Sequence, residues 1–369
     1  MSTPTEWRLL RDGITDAHHH FAVEEALVRL VDEGLSPPTL RLRQVRRAVF
    51  VGVFQDTWAE VDVGYCRQHG IKIVRRLNAG GAVYHDLGSF CYSAFFPRAA
   101  FPQSEEELYR LFAGPVIGTC ADYGIVARFH GRNDVLVGER KIYGSAQIAW
   151  YDTFVQSGTF LVHVDFDVME RALTPPALKF AGKSARSVKE RVTSLARELG
   201  GELDTDEVMQ RFAAHFGRVL GTHLVPGDLT PEEQALAAEL LAVKYGTDEW
   251  NLGTQQACEV TVSTRAKGGT LSLSADVDDG AIRQVRIRGD LLVSDRTVLE
   301  QLEQALVGCS LRQAQGRLLR QAQGRLPEGT QAVVRAARLP PDVQEALVRL
   351  LLEVGQAQEP HSTHLWENG

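Results

Sequence analysis

Cysteine is scarce and badly placed for cross-linking: five residues in 369, at positions 66, 91, 120, 258 and 309, with no C-x-x-C among them. An odd, scattered set argues against a disulfide framework or a structural zinc site and favours a reducing compartment. No uncharged stretch approaches the roughly 20 apolar residues of a membrane span. The first residues, MSTPTEWRLLRDG, carry charges where a secretory leader would need its apolar core. A cytoplasmic protein with no membrane partner is expected. Basic charge is also short, Lys plus Arg numbering 40 against 47 Asp plus Glu, for a net charge of −7. That balance excludes a non-specific nucleic-acid binder, which needs surplus cations to displace counterions.

What is present is ordinary for a globular chain, with 44% hydrophobic and 24% charged residues. At ~150 residues per domain the length predicts two domains. Thr15-Asp16 precede an amphipathic run, HHFAVEEALVRLVDEG, that predicts a helix ending near Gly34. Its leading His18-His19-His20 point in three directions on a helix, which argues against a metal-ligand set. AVFVGVFQ (48–55) and IKIVRR (71–76) predict strands, and TWAEVDVGYCRQHG between them predicts a helix. Ser104 and Glu107 have the spacing of a capping box. Further strands are expected at 125–130, 134–138, 142–150 and 158–166, followed by helical texture from 184 to 245. Three alternating runs, 258–265, 269–276 and 281–288, predict antiparallel strands, with turns at Lys267-Gly268-Gly269 and Asp278-Asp279-Gly280, and 298–308 predicts a helix. LRQAQGRL occurs twice in succession over 311–326, too short a duplication for a solenoid.

Two segments carry candidate chemistry. RRLNAGGAVYHDLG (75–88) follows a predicted strand and joins two arginines to a small-residue bend. At Ala79-Gly80-Gly81-Ala82 the backbone can approach a ligand closely, so that successive N–H groups face an anion. Arg75 or Arg76 would add a fixed, bidentate charge for phosphate or carboxylate. Most Gly-Gly bends after strands bind nothing, so this segment alone leaves both an anion site and a plain turn open. It is neither a Walker A loop nor a Rossmann fingerprint. GRNDVLVGERKIYGSAQ (131–147) opens a strand at Lys141 and follows it with Gly144-Ser145-Ala146, which leave room for the lysine to project into a pocket.

Together the segments resemble the lipoate–protein ligase family. The resemblance rests on Arg75-Arg76, Gly80 to Gly88, Arg132-Asn133-Asp134 and Lys141-Ile142-Tyr143-Gly144-Ser145-Ala146, with weaker matches at AVEEAL (22–27), GVFQDTWAEVD (52–62), DEWNLG (248–253) and IRQVRIRGDLL (282–292). It implies an α+β fold: a large mixed-sheet catalytic domain of the biotin/lipoate-ligase type over 1–248, a small α+β accessory domain over 249–357, and a polar tail at 358–369. It also implies an adenylate-forming ligase that converts lipoate and ATP to lipoyl-AMP. The lipoyl group then passes to a lysine of a lipoyl domain in a 2-oxoacid dehydrogenase complex or of the glycine-cleavage carrier. ATP and Mg²⁺ would serve as co-substrate and metal, with no tightly bound organic cofactor, and the protein would act as a monomer.

In that reading Lys141 is catalytic and touches both substrates. Arg76, Gly81, Ala82, Val83 and Tyr84 hold the nucleotide, and Arg75, Gly80 and His85 contact lipoate. Asn133, Asp134, Gly144 and Ser145 are further candidates, Asp134 for Mg²⁺. The sequence departs from the family pattern at Asn78, Ala79, Ser157 and His20, where serine, glycine, histidine and asparagine are usual. Ala79 fits only if its φ is negative, and Ser157 removes an imidazole expected beside the acyl pocket. Two alternatives stay open: an ATP-independent octanoyl- or lipoyl-transferase, which would need a thiolate before the lysine motif where no cysteine stands, and an idle paralogue that only binds.

Overall fold

The computed structural model describes residues 5–101, 103–174, 188–253, 258–266, 269–290, 298–311, 313–314 and 341–358. The chain forms two compact units that part at residue 255. No helix among the described residues is long and apolar enough to cross a membrane.

The first unit has eleven strands: β1 (Glu6–Thr15), β2 (Thr39–Val45), β3 (Ala48–Val51), β4 (Lys72–Arg75), β5 (Val83–His85), β6 (Ser89–Pro97), β7 (Ala127–His130), β8 (Asp134–Val137), β9 (Arg140–Trp150), β10 (Thr153–Leu161) and β11 (His223–Gly227). Eight of them form one mixed sheet in the order β11-β1-β2-β6-β10-β9-β8-β7, and β4-β3-β5 form a second. In the large sheet β1 runs parallel to β11 and β2, and every other neighbouring pair is antiparallel.

Because side chains alternate across a strand, the register sorts this sheet into two faces. One carries Trp7 and Phe96, packed against Phe112 of helix Glu105–Asp122 and Phe216 of helix Thr205–Leu220. The other carries Cys91, Phe95, Ile148 and Val155 beneath helix Ala17–Asp32 and its neighbour Pro231–Leu240. The helix starts are those the sequence signals: Asp16 accepts from the N–H groups of His18 and His19, and Ser104 with Glu107 and Thr230 with Glu233 close capping boxes.

The structure departs from expectation in four places. β1, β2, β5 and β6 were not foreseen: β2 buries Arg41 and Arg43, so its pattern reads as polar, and eight of the nine residues of β6 are buried, so it does not alternate. The strand expected at 158–166 lies at 153–161 instead, because Tyr151 (φ 46°) turns the β9–β10 hairpin and Asp165 caps a following helix, Phe166–Ala172. The helix expected over 57–70 breaks into Thr57–Glu60 and Val63–Gln68, each with its own aspartate cap. The helical stretch 184–245 is interrupted by β11.

In the second unit β12 (Val260–Ala266), β13 (Gly269–Asp278) and β14 (Ala281–Gly289) form an antiparallel meander, with Asp279 and Gly280 at positive φ in the β13–β14 turn. Helices Val298–Leu306 and Pro341–Gln358 accompany it. Nearly all of the octapeptide duplication, and the tail from 359, lie outside the described residues.

Candidate active site

Lys141 stands near the start of β9, beside a register shift in its pairing with β8. Its ammonium folds over Gly144: a Cβ built on that glycine would lie 2.4 Å from Nζ. Only a residue without a side chain leaves the ammonium this berth. Nζ lies 2.6 Å from Asp134 Oδ1, a contact that lacks the alignment of a hydrogen bond. Both partners keep some exposure, so the pair is held by Coulomb attraction alone and is open to exchange for a better-placed anion. Asn133 and Ser145 brace the strands behind it. Asn133 Nδ2 donates to the Ser145 carbonyl (2.6 Å), and Ser145 returns its N–H (3.0 Å) and hydroxyl (3.1 Å) to the Asn133 carbonyl.

The two arginines divide sharply. Arg75, expected as a lipoate contact, turns into the 52–57 loop. Its guanidinium donates to the carbonyls of Gly52, Val53, Gln55 and Trp250 and to Thr57 Oγ1, at 2.7–3.1 Å. Arg76 is equally buried but, among the described residues, has one hydrogen bond, to the Gly81 carbonyl (2.8 Å), no carboxylate partner, and an unpaired Nε. Burial pulls its pKa down to about 10. A buried, uncompensated guanidinium is costly, and an anion brought beside it would offset that cost.

Gly80 has φ 101°, and its carbonyl would be 2.0 Å from a Cβ on Gly52, so the bend and the 52–55 turn are in backbone contact. Ala79 is not among the positive-φ residues, which meets the condition its side chain imposes. Gly81 and Ala82 lead into β5 and stay partly accessible, as does Val83. Tyr84 is buried, with no partner for its hydroxyl among the described residues. His85 is buried and stacked on Phe50 (3.9 Å), and its Nδ1 lies 3.5 Å from Cys91 Sγ. Burial, then the charges of Arg76 and Arg43, lowers its pKa to about 3, so the ring is neutral. Burial raises the Cys91 thiol to about 11, and a protonated thiol beside a neutral imidazole is no nucleophile.

The register joins these elements. Rows of partners cross the large sheet on the face below helix Ala17–Asp32: Arg43–Cys91–Thr159–Gly144, then Arg41–Ser93–Ser157–Ala146, then Thr39–Phe95–Val155–Ile148. Lys141 crowns the first row at Gly144. The third row opens on a small cavity of about 10 Å³, room for about one water, lined by Phe95, Ile148, Val155, Ser157, Glu24 and Asn78 among others. Asn78 belongs to the arginine–glycine bend, so the bend and the lysine-bearing strand flank one groove. Arg76 also feels the phenol of Tyr109, Tyr109 that of Tyr143, and Tyr143 the carboxylate of Asp134, a relay of neighbours from the bend to the lysine.

Beneath the groove lies a buried ionic network that the sequence reading missed. Arg41 pairs with Asp12 and Glu24, and Arg43 pairs with Glu24 (3.2 Å) and donates through Nε to His20 Nδ1 (3.1 Å). Burial and the two arginines hold His20 well below its ordinary pKa, so it is neutral and can accept. The signal was the alternation in LRLRQV, which puts both arginines on one strand face.

Comparisons with known proteins agree with this architecture. A family model described as the lipoyl protein ligase A/B catalytic domain matches residues 16–217, and one described as the bacterial lipoate protein ligase C-terminus matches residues 255–316. Lipoate–protein ligase 1 of Staphylococcus aureus is 30% identical over 300 residues, covering 81% of this chain and 88% of its own length. A crystal structure of lipoate-protein ligase A bound with ATP is 29% identical, with a TM-score of 0.60 over 67% of this chain and 99% of that one. A bi-partite lipoate protein ligase of Thermoplasma acidophilum, studied with its E2 lipoyl domain, is 31% identical, with a TM-score of 0.59 over 69% of this chain and 100% of its own. With its catalytic-domain model matched across the groove and a near full-length relative in S. aureus, this α+β enzyme belongs to the lipoate–protein ligase family.

Proposed function

We propose that the chain condenses lipoate with ATP to give lipoyl-AMP and pyrophosphate, and then passes the lipoyl group to a lysine on a lipoyl-carrier domain. The observation that supports the reading is Arg76, a buried guanidinium with no carboxylate partner among the described residues, in the bend whose Asn78 shares a small cavity with Ile148 of the strand that carries Lys141. Carboxylate attack on a phosphate brings two anions together, so the site must supply fixed positive charge on both sides of the forming bond. Lys141 leaves Asp134 and bridges a carboxylate oxygen of lipoate and the α-phosphate. Arg76, with the N–H groups about Gly81 and Ala82, holds the phosphates. Asp134, once released, faces the same ammonium and keeps it oriented. In the second step the carrier amine attacks the acyl carbon and AMP leaves with its negative charge still on Lys141 and Arg76.

Mg²⁺ would be carried by the nucleotide, with Asp134 the residue that would hold it on the protein, and it would screen the charge of the outgoing pyrophosphate. The carriers we assign are the lipoyl domains of 2-oxoacid dehydrogenase complexes or the glycine-cleavage carrier, and the compartment is the cytoplasm, a setting that suits five unpaired thiols. Lipoate-dependent exchange of labelled pyrophosphate into ATP is the test. The ligase exchanges label only when lipoate is present, and acyl transfer from a carrier without ATP would overturn the reading in favour of a transferase.

A further inference from the structure

The middle of the groove is polar, and its proton inventory can be worked out. Glu24, salt-bridged by Arg41 and Arg43, can only accept. Ser93 therefore spends its single proton on Glu24 Oε2 (2.6 Å), while its oxygen accepts from Arg43 Nη2 (3.0 Å). The remaining Ser93–Ser157 contact (3.0 Å) then requires Ser157 to be the donor. With that proton committed, Ser157 shows the groove lone pairs only. Across the groove Asn78, 7% exposed, has an Oδ1 with no partner among the described residues. Among the described residues no hydrogen bond is donated to Asn78 Oδ1.

Their position along an acid follows from the strand. The Ser157–Ala146 row lies two residues beyond Gly144, about 6–7 Å along β9 at the strand rise. An extended chain advances roughly 1.2 Å per bond, a third of one extended residue, so an acid whose carboxylate meets Lys141 brings its sixth carbon to this row, about 6 Å away. Beyond it Phe95, Val155 and Ile148 offer only apolar surface. Resting on the proposed orientation of the acid, we infer that Ser157 selects acyl chains that carry a hydrogen-bond donor at the sixth carbon. The open dithiol form of lipoate, with a thiol there, meets that description. The cyclic disulfide has no donor, and octanoate has nothing polar at all. A neutral hydrogen bond in a buried site corresponds to a preference of about three- to tenfold, and a site with polar groups left unpaired discriminates further against the chain that lacks the partner.

The experiment is calorimetric titration of the full-length protein, oxygen-free, with dihydrolipoate, lipoate and octanoate, repeated on Ser157→Ala. The wild type should bind dihydrolipoate about three- to tenfold more tightly than octanoate, and S157A should bring that ratio close to one. Equal affinities in the wild type, a full preference retained in S157A, or no binding of any acid would each overturn the inference. The wild-type ratio stands by itself should the variant fail to fold. If the preference holds but no acid supports pyrophosphate exchange, the selectivity is upheld and the adenylating reading fails, so the two are told apart.

Discussion

Lys141 and Gly144 form one steric unit, because the ammonium occupies the volume that any side chain at 144 would fill. Lys141→Ala should lower lipoate-dependent pyrophosphate exchange by about 10²–10³-fold or more while leaving the melting temperature nearly unchanged. Gly144→Ala should cost about 10²-fold by displacing the ammonium, again with little loss of stability, since the clashing atom is the tip of a flexible chain. Full activity in either variant would move the chemistry away from position 141. His85 and His20 make a different prediction. Both have folded-state pKa values below the ordinary 6.5, His85 at about 3, so the unfolded chain takes up protons that the native protein refuses. Stability is therefore greatest above pH 6.5 and falls on acidification by ~1.4 kcal/mol per pH unit for each ring, until the folded pKa is reached. Urea midpoints measured from pH 7 to pH 4.5 should show this slope, and His85→Gln should flatten it. At this scale the candidate residues could be named from the sequence, because Lys141, Gly144 and the bend at Gly80 are defined by local sequence. What could not be read was the difference between Arg75 and Arg76. Adjacent arginines look alike until the fold turns one into a loop of carbonyls and leaves the other with a single carbonyl partner among the described residues.

Among the secondary elements, Arg75 is the pin that fastens the 52–57 turn to helix Asp248–Leu252. Trp250 Nε1 donates to its carbonyl, Asn251 Oδ1 accepts from its N–H, and its guanidinium caps carbonyls on both sides. Arg75→Ala strands several buried acceptors at once and should cost about 3 kcal/mol or more, read as a drop in urea midpoint; a loss under ~1 kcal/mol would mean those bonds are solvent-screened. The helices were read well because caps and periodicity are local. The strands were read less well because pairing is not. β6 is buried on both faces and has no alternation to detect, and β2 owes its place to ion pairs with Asp12 and Glu24 that are distant in sequence. The hairpin β9–β10 was displaced by several residues because its turn uses Tyr151 at positive φ rather than glycine or asparagine.

At the level of the whole molecule, the first unit owns every residue of the groove and both of its aromatic and aliphatic layers. A chain ending at residue 255 should accordingly melt in one cooperative transition within a few degrees of the full protein, checked by calorimetry; a broad, non-cooperative melt would show that this core leans on the second unit. In the proposed orientation, head and tail of the acid would both be gauged by a single strand, β9, which carries the ammonium's berth at 144 and the apolar residue at 148. Inserting one residue between them would throw the far wall to the opposite side of the sheet. Evolution can thus lengthen this yardstick only in two-residue notches of about 6.6 Å, roughly five or six methylenes at a stroke. Finer adjustments of chain length have to come from trimming or bulking the side chains at positions 95, 148 and 155.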